Sequence, residues 1–113
     1  ATFVERDPAA LAALRANLDA CGLGPDRATV VAGDAPGLLG GGQLAGPWDL
    51  VLLDPPYAFD GWEELLGGLD ADVAVCESGA EVVPPAGWQL ARVKGYGTTV
   101  VTICRRVPGG APR

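Results

Sequence analysis

The sequence predicts an α/β fold, doubly wound around a mostly parallel sheet, with an antiparallel hairpin at its C-terminal end. Three observations carry that expectation. Short apolar, β-prone runs alternate with segments whose apolar residues recur every three or four positions. The runs at residues 2–5, 28–32, 48–53 and 73–76 each end on, or lead into, an acid. The last two runs are separated only by "GYG", too short for a crossover helix, so they pair antiparallel.

Residues 2–5 (TFVE) form a strand ending on Glu5. Asp7-Pro8 is a helix start, with Asp as N-cap and Pro at the first helical position. Leu11, Leu14 and Leu18 then share one helix face, and Gly22 and Gly24 stop the helix. Residues 28–32 (ATVVA) form a second strand, closed by Gly33-Asp34. A short helix or turn at 35–40 runs out into "GGGQLAGP", a loop. Residues 48–53 (WDLVLL) form a third strand, expected to be buried, and "FDGWEELLGGL" a short helical segment. Residues 73–76 (VAVC) form a fourth strand, ending at Glu77. After the connector "GAEVVPPAG", residues 88–94 and 98–106 form the closing hairpin, the latter alternating weakly, as a strand covered on both faces would. Helices between apolar strands imply a parallel sheet covered on both faces, with ligands at the carboxyl ends of the strands.

The 113 residues are one domain's worth, and no linker or repeat divides them, so residues 1–113 are expected to form a single domain. No apolar run approaches the roughly 20 residues of a membrane span, and no signal peptide is seen. A cytoplasmic protein with no membrane partner is therefore expected. Cys21, Cys76 and Cys104 are widely spaced, without a CxxC pair or a histidine, so no zinc site is expected. They read as buried or semi-buried free thiols in a reducing compartment. The net charge of −6 counts against a general grip on phosphates, apart from the short basic groupings Arg92/Lys94 and Arg105–Arg106. The opening "ATFVERD", with a strand already under way, reads as a piece whose upstream part is absent.

Glu5, Asp34, Asp54 and Glu77 each lie at the end of an apolar strand. Singly, such acids are common turn and cap residues. If the strands are parallel, all four lie on one rim, where like charges repel unless a ligand uses them. Glu5 ends the strand whose carboxylate can accept hydrogen bonds from both hydroxyls of a ribose. Asp34 comes after the next strand, where an adenine amine would lie. "LLDPPY", residues 52–57, is the most informative stretch. Proline removes backbone donors and fixes φ, so Asp54-Pro55-Pro56 presents only acceptors. Two acceptors without a donor suit an amino group with two N–H bonds, such as the exocyclic amine of a nucleobase. Holding that amine is positioning with electrostatic stabilisation. Tyr57 offers a flat face for a splayed base. The plainer alternative is a rigid turn after the strand, with Tyr57 packed on the surface.

These residues resemble the S-adenosylmethionine-dependent methyltransferases that modify exocyclic amines and carry an [Asn/Asp]-Pro-Pro-[aromatic] signature. Within them, the chain is most similar to the bacterial 16S ribosomal RNA guanine-N(2) methyltransferases. "FVERD", "VVAGDA", "LLDPPY", "VAVCES" and "GYGTTVVTICRR" carry the resemblance, which covers almost the whole chain. It implies S-adenosylmethionine as cofactor and ribosomal RNA or the small ribosomal subunit as partner, with no metal. Glu5 would then bind the cofactor ribose, and Asp34 with the Ala35 backbone its adenine. Asp54 and Pro55 would hold the target amine, Asp54 also bordering the cofactor. Pro56 would complete the rigid turn, and Tyr57 would stack on the base. Glu77 would be a rim residue near the substrate.

The chain departs from the family in three ways. The first strand with its Gly-rich loop and the upstream basic segment have no counterpart. The segment from Tyr57 to Ala71 is short. Arg6 stands where related folds often place an apolar residue against the adenine, and so joins the expected cofactor set. In the implied strand order, 3-2-1-4-5-7-6, the first strand is central. Its absence would leave an unpaired edge and a chain that is unstable or rearranged by itself. Alternatives are an amine methyltransferase of adenine or cytosine in DNA, a nicotinamide-dependent oxidoreductase using Glu5, and an inactive truncated fold serving as an interaction module.

Overall fold

Residues 1–108 are described by a computed structural model. They fall into two compact units, Ala1–Leu44 and the part that begins at Ala45.

In the first unit, β1 (Thr2–Glu5) leads through α1 (Pro8–Ala20) to β2 (Thr29–Ala32), which lies parallel to β1 with Glu5 opposite Ala32. The helix starts as its sequence dictates. Asp7 has extended backbone, its carboxylate accepts from the Ala10 N–H at 2.8 Å, and Pro8 occupies the first turn. Leu11 is buried, and Leu14 and Leu18, on the same face, are half-buried. The end is a Schellman turn. Gly22, at φ 70°, donates to Asp19 O at 3.0 Å, and Leu23 donates to Leu18 O at 2.9 Å. A side chain at Gly22 would be strained in that left-handed backbone. α2 (Ala35–Gly40) comes after β2 and one short turn.

In the second unit, β3 (Trp48–Leu53), α3 (Trp62–Gly67), β4 (Ala71–Ser78), β5 (Trp88–Tyr96) and β6 (Thr99–Arg106) give a four-stranded sheet of order β3-β4-β6-β5. β3 and β4 are parallel, joined by the crossover through α3, and β6 is antiparallel to both its neighbours. One face is packed. Ala74, Cys76, Thr102 and Cys104 are fully buried there, and Leu65, Leu66 and Leu69, from α3 and the residues after it, belong to the same core. The core also has polar fasteners. Trp88 Nε1 donates to Leu66 O at 3.0 Å, and the Val82 N–H donates to the buried Thr102 hydroxyl at 3.0 Å. The Arg106 guanidinium stacks 4.5 Å from the Trp88 ring centre and donates to Ala71 O at 3.1 Å.

Several expectations are corrected. The described strands make two sheets, so one continuous doubly wound sheet is not seen. Within each sheet the neighbours are those that the resemblance implied, β1 beside β2 in one and β3-β4-β6-β5 in the other. β3 is not buried. Leu50 is 57 % and Leu52 72 % exposed, because β3 has a ladder on one side only and these residues point to the open face of the sheet. β6 is likewise covered on one face, with Val101 and Ile103 only half-buried on the other. β4 runs on through Glu77 to Ser78.

The hairpin differs most. Tyr96 pairs with Thr99, so the turn is Gly97-Thr98 and not "GYG". Gly97 has φ 64°, which suits the first central residue of a tight two-residue hairpin turn. The ladder slips between Leu90 and Arg92, leaving Ala91 as an extra residue in β5. Side chains alternate with a period of two, so this bulge reverses which residues face which way. Beyond it, Val93 lies opposite the buried Thr102, and Arg92, Lys94 and Tyr96 turn to the open face.

Candidate functional site

Each unit holds part of the predicted site at the carboxyl end of its parallel strands. In the first unit, Glu5 is the last residue of β1 and Asp34 the N-cap of α2. Glu5 Oε2 accepts from the backbone N–H groups of Arg6 at 2.8 Å and Asp7 at 3.4 Å, which fixes the carboxylate; Oε1 has no partner among the described residues. Asp34 has structural duties on both oxygens. Oδ2 accepts from the Gly37 N–H at 3.2 Å, and Oδ1 lies 3.8 Å from the Arg6 guanidinium. That ion pair is solvent-exposed and contributes little, of the order of 0–1 kcal/mol. Arg6 therefore reaches across to Asp34. The Ala35 N–H opens α2 and has no acceptor among the described residues. One free carboxylate oxygen, one weakly engaged one and one free N–H fit the hydroxyls, amine and ring nitrogen of an adenosine group.

In the second unit, the Asp54–Tyr57 turn leaves β3 directly. Asp54 is exposed and has no hydrogen bond or ion pair among the described residues. The Pro55 carbonyl is likewise unengaged, whereas the Pro56 carbonyl accepts from the Phe59 N–H at 2.9 Å and closes the turn. The donor-free stretch read from the two prolines is thus a pair of open acceptors and then a tethered one. Tyr57 is 51 % exposed, and its ring lies against Gly79, where an added Cβ would come within 3.3 Å of Cδ2. Its hydroxyl shares a hydrogen bond with the Thr99 hydroxyl. Leu53 pairs with Cys76, so Asp54 and Glu77 are the next residues along a parallel pair. Glu77 is half-buried in β4, opposite Val101.

Gly79 and Thr99 do not stand out in the sequence. Gly79 is two residues beyond Glu77, and its freedom from a Cβ matters only once Tyr57 lies against it. Thr99 could be found only from the hairpin register, which the bulge and the shorter turn conceal. Cys21 is exposed, not semi-buried, while Cys76 and Cys104 are fully buried. Burial, with the neighbouring Cys104 thiol adding to it, pushes the Cys76 thiol up to about 12, and burial also raises Cys104. Among the described residues, no group of three or more His, Cys, Asp or Glu could hold a metal ion, and no helix is long and apolar enough to cross a membrane.

Comparison with known proteins bears on the family and the fold. A family model described as "Conserved hypothetical protein 95" matches residues 1–105. No curated protein matches the sequence. Among solved structures, the chain is similar to a "putative methylase" from Haemophilus influenzae, with TM-score 0.77 and 22 % identity over 94 % of this chain and 71 % of that one. It is similar to "putative methyltransferase yhhF" from Escherichia coli, with TM-score 0.73 and 29 % identity over 93 % of this chain and 61 % of that one. A conserved hypothetical protein of Streptococcus pyogenes gives TM-score 0.78 and 27 % identity over 95 % of this chain and 71 % of that one.

Proposed function

The chain belongs to the family described as Conserved hypothetical protein 95, and from that premise we propose that it serves transfer of a methyl group from S-adenosylmethionine to the exocyclic amine of a guanine in 16S ribosomal RNA. One observation carries the reading. The turn after β3 offers the Asp54 carboxylate and the Pro55 carbonyl, both unengaged among the described residues, beside the half-exposed ring of Tyr57. No backbone N–H stands at Pro55 or Pro56 to compete for the acceptors.

S-adenosylmethionine, when bound, supplies an electrophilic methyl group. Glu5 holds the ribose through its free Oε1, and the Ala35 N–H and Asp34 meet the adenine. Asp54 and Pro55 O accept the two N–H bonds of the target amine. That fixes the amine plane and directs its lone-pair density, a gain in orientation and electrostatics that needs no covalent enzyme intermediate. Tyr57 stacks on the base. Its ring is steadied at one end by the Thr99 hydroxyl and along its edge by Gly79. The cysteines take no part: Cys76 and Cys104 are sealed in the sheet's covered face, and Cys21 caps the end of α1.

The test incubates the protein with labelled S-adenosylmethionine and unmodified small ribosomal subunits, then identifies the labelled nucleoside by mass spectrometry. N(2)-methylguanosine is expected. Label confined to methyladenine or methylcytosine of added DNA would retain the amine chemistry and overturn the ribosomal substrate. No label in either would overturn both.

A further inference from the structure

We infer that the open face of the β5–β6 hairpin, where Arg92, Lys94 and Tyr96 lie over Val101 and Ile103, docks the single-stranded RNA that flanks the base presented to Tyr57. The choice of RNA rests on the proposed amine methylation; the surface itself rests on the shape, charge and aromatic exposure of the hairpin.

These five residues line one open concavity of about 290 Å³. The Ala91 bulge puts them there, since it turns Arg92, Lys94 and Tyr96 away from the packed face. The placement of the cations in the second unit, and not its acidic balance, points to an anion. Between Ala45 and Pro108 the cations are Arg92, Lys94, Arg105 and Arg106, all on the hairpin. Arg106 is committed to Trp88 and backbone carbonyls. Arg92 and Lys94 have no ion pair among the described residues, although the chain carries 14 acids. Arg105, exposed and opposite Val73, extends the same face. Glu77, half-buried opposite Val101, is the acid that borders it toward β4. Two cations left unneutralised in an acidic chain provide local charge complementarity to phosphates that the net charge conceals.

Tyr96 adds an aromatic platform. Its ring is 57 % exposed, with Lys94 Nζ 5.3 Å from the ring centre. Aromatic rings interleaved with cations suit single strands, whose bases stack while their phosphates pair. The half-buried Val101 and Ile103 form an apolar floor. The face is also continuous with the candidate site. Tyr96 pairs across the turn with Thr99, whose hydroxyl bonds that of Tyr57. A strand leaving a base at Tyr57 meets Tyr96 next, and then Lys94 and Arg92.

The test measures binding of a fluorescent single-stranded oligoribonucleotide by anisotropy over a salt series. Each phosphate contact on a single strand contributes about 0.7 to the slope of log affinity against log salt. The double variant Arg92→Gln/Lys94→Gln should therefore lose about 1.4 of slope, and roughly 20-fold in affinity at 0.1 M salt. Tyr96→Ala should weaken binding with the slope kept, and Tyr96→Phe should restore it. Arg92→Lys/Lys94→Arg, and the first-unit pair Arg15→Gln/Arg27→Gln, should keep the slope. No RNA binding by the protein, an unchanged slope in Arg92→Gln/Lys94→Gln, or an equal loss in Arg15→Gln/Arg27→Gln would overturn the inference. So would sedimentation showing that the face is covered by a second copy of the chain. Hairpin-dependent binding without methyl transfer would leave this surface standing and remove the proposed reaction; methyl transfer with unchanged slopes would do the reverse.

Discussion

The Tyr57 hydroxyl shares a hydrogen bond with the Thr99 hydroxyl, so the turn after β3 is tied to the first residue of β6. The contact spans the sheet's carboxyl-end rim and holds an otherwise half-exposed ring. Thr99→Val and Tyr57→Phe each remove the bond and keep the shape. An exposed bond between neutral hydroxyls contributes about 0.5–1 kcal/mol, so either variant should shift the unfolding midpoint only slightly. Turnover should fall several-fold, with cofactor affinity unaltered. Tyr57→Ala should fall much further, because the stacking surface goes with the bond. Equal turnover in Tyr57→Phe and Tyr57→Ala would show that the ring does not act.

Asp54 and Glu5 should fail in opposite ways. Asp54→Ala removes one of two acceptors for the amine, so methyl transfer should be abolished while S-adenosylmethionine binding, read by calorimetry, stays nearly unchanged. Glu5→Gln should weaken cofactor binding first, with the maximal rate at saturation less affected. A fully active Asp54→Ala protein would remove the turn from the chemistry.

The thiols separate by burial. With an alkylating reagent near pH 8, Cys21 should react in the folded protein, and Cys76 and Cys104 only after denaturant is added. The pH dependence of stability involves the same residues. The Cys76 thiol is raised from 9.0 to about 12, chiefly by burial, so the folded chain holds that proton more tightly than the unfolded chain. The resulting contribution to stability is complete below pH 9 and is lost as pH rises toward 12. Cys76→Ala should flatten the fall in unfolding midpoint across that window.

Adjacent arginines should differ sharply. Arg106 is stacked on Trp88 and bonded to a carbonyl, whereas Arg105 is exposed on the open face. Arg106→Lys loses the planar fork and the stacking, and should cost about 1–3 kcal/mol in urea unfolding. Trp88→Ala should cost about 3–5 kcal/mol. Arg105→Gln should stay within about 0.5 kcal/mol.

The edge of β3 has its own signature. The β3 edge beside Leu50 and Leu52, which has no ladder among the described residues, is a template for pairing with another strand. Light scattering of the protein on heating should depend on concentration, and Leu52→Lys should suppress it. A cooperative, concentration-independent thermal transition with native sheet content would show that the edge is no liability.

Much of this is legible in the sequence. Asp7-Pro8 marks the start of α1, the alternation of strands and helices matches the observed order, and Asp-Pro-Pro-Tyr places open acceptors at a strand's end. Local chemistry determines those features, so local sequence reveals them. What sequence misses depends on neighbours. The apolar run of β3 looks buried, yet Leu50 and Leu52 are covered only if something lies over that face. "GYG" looks like a turn, yet Gly95 and Tyr96 complete the ladder of β5 because Gly97 alone supplies the left-handed residue. The double role of Asp34, capping α2 and meeting Arg6, needs coordinates to be seen.

The extra residue at Ala91 gives β5 two reading frames. Before it, the even-numbered Trp88 is inside; after it, the odd-numbered Val93 lies opposite the core and the even-numbered residues are outside. Substitutions can therefore accumulate at positions 92, 94 and 96 without disturbing the residue packed against Thr102. The two halves of one strand are free to change at different rates: the first held by the core, the second by whatever it touches. Deleting Ala91 would remove the bulge and leave one unbroken alternation, with Leu90 still opposite Cys104, Arg92 opposite Ile103 and Val93 opposite Thr102, whereas flattening the bulge with Ala91 kept would drive Arg92 and Lys94 inward and Val93 out.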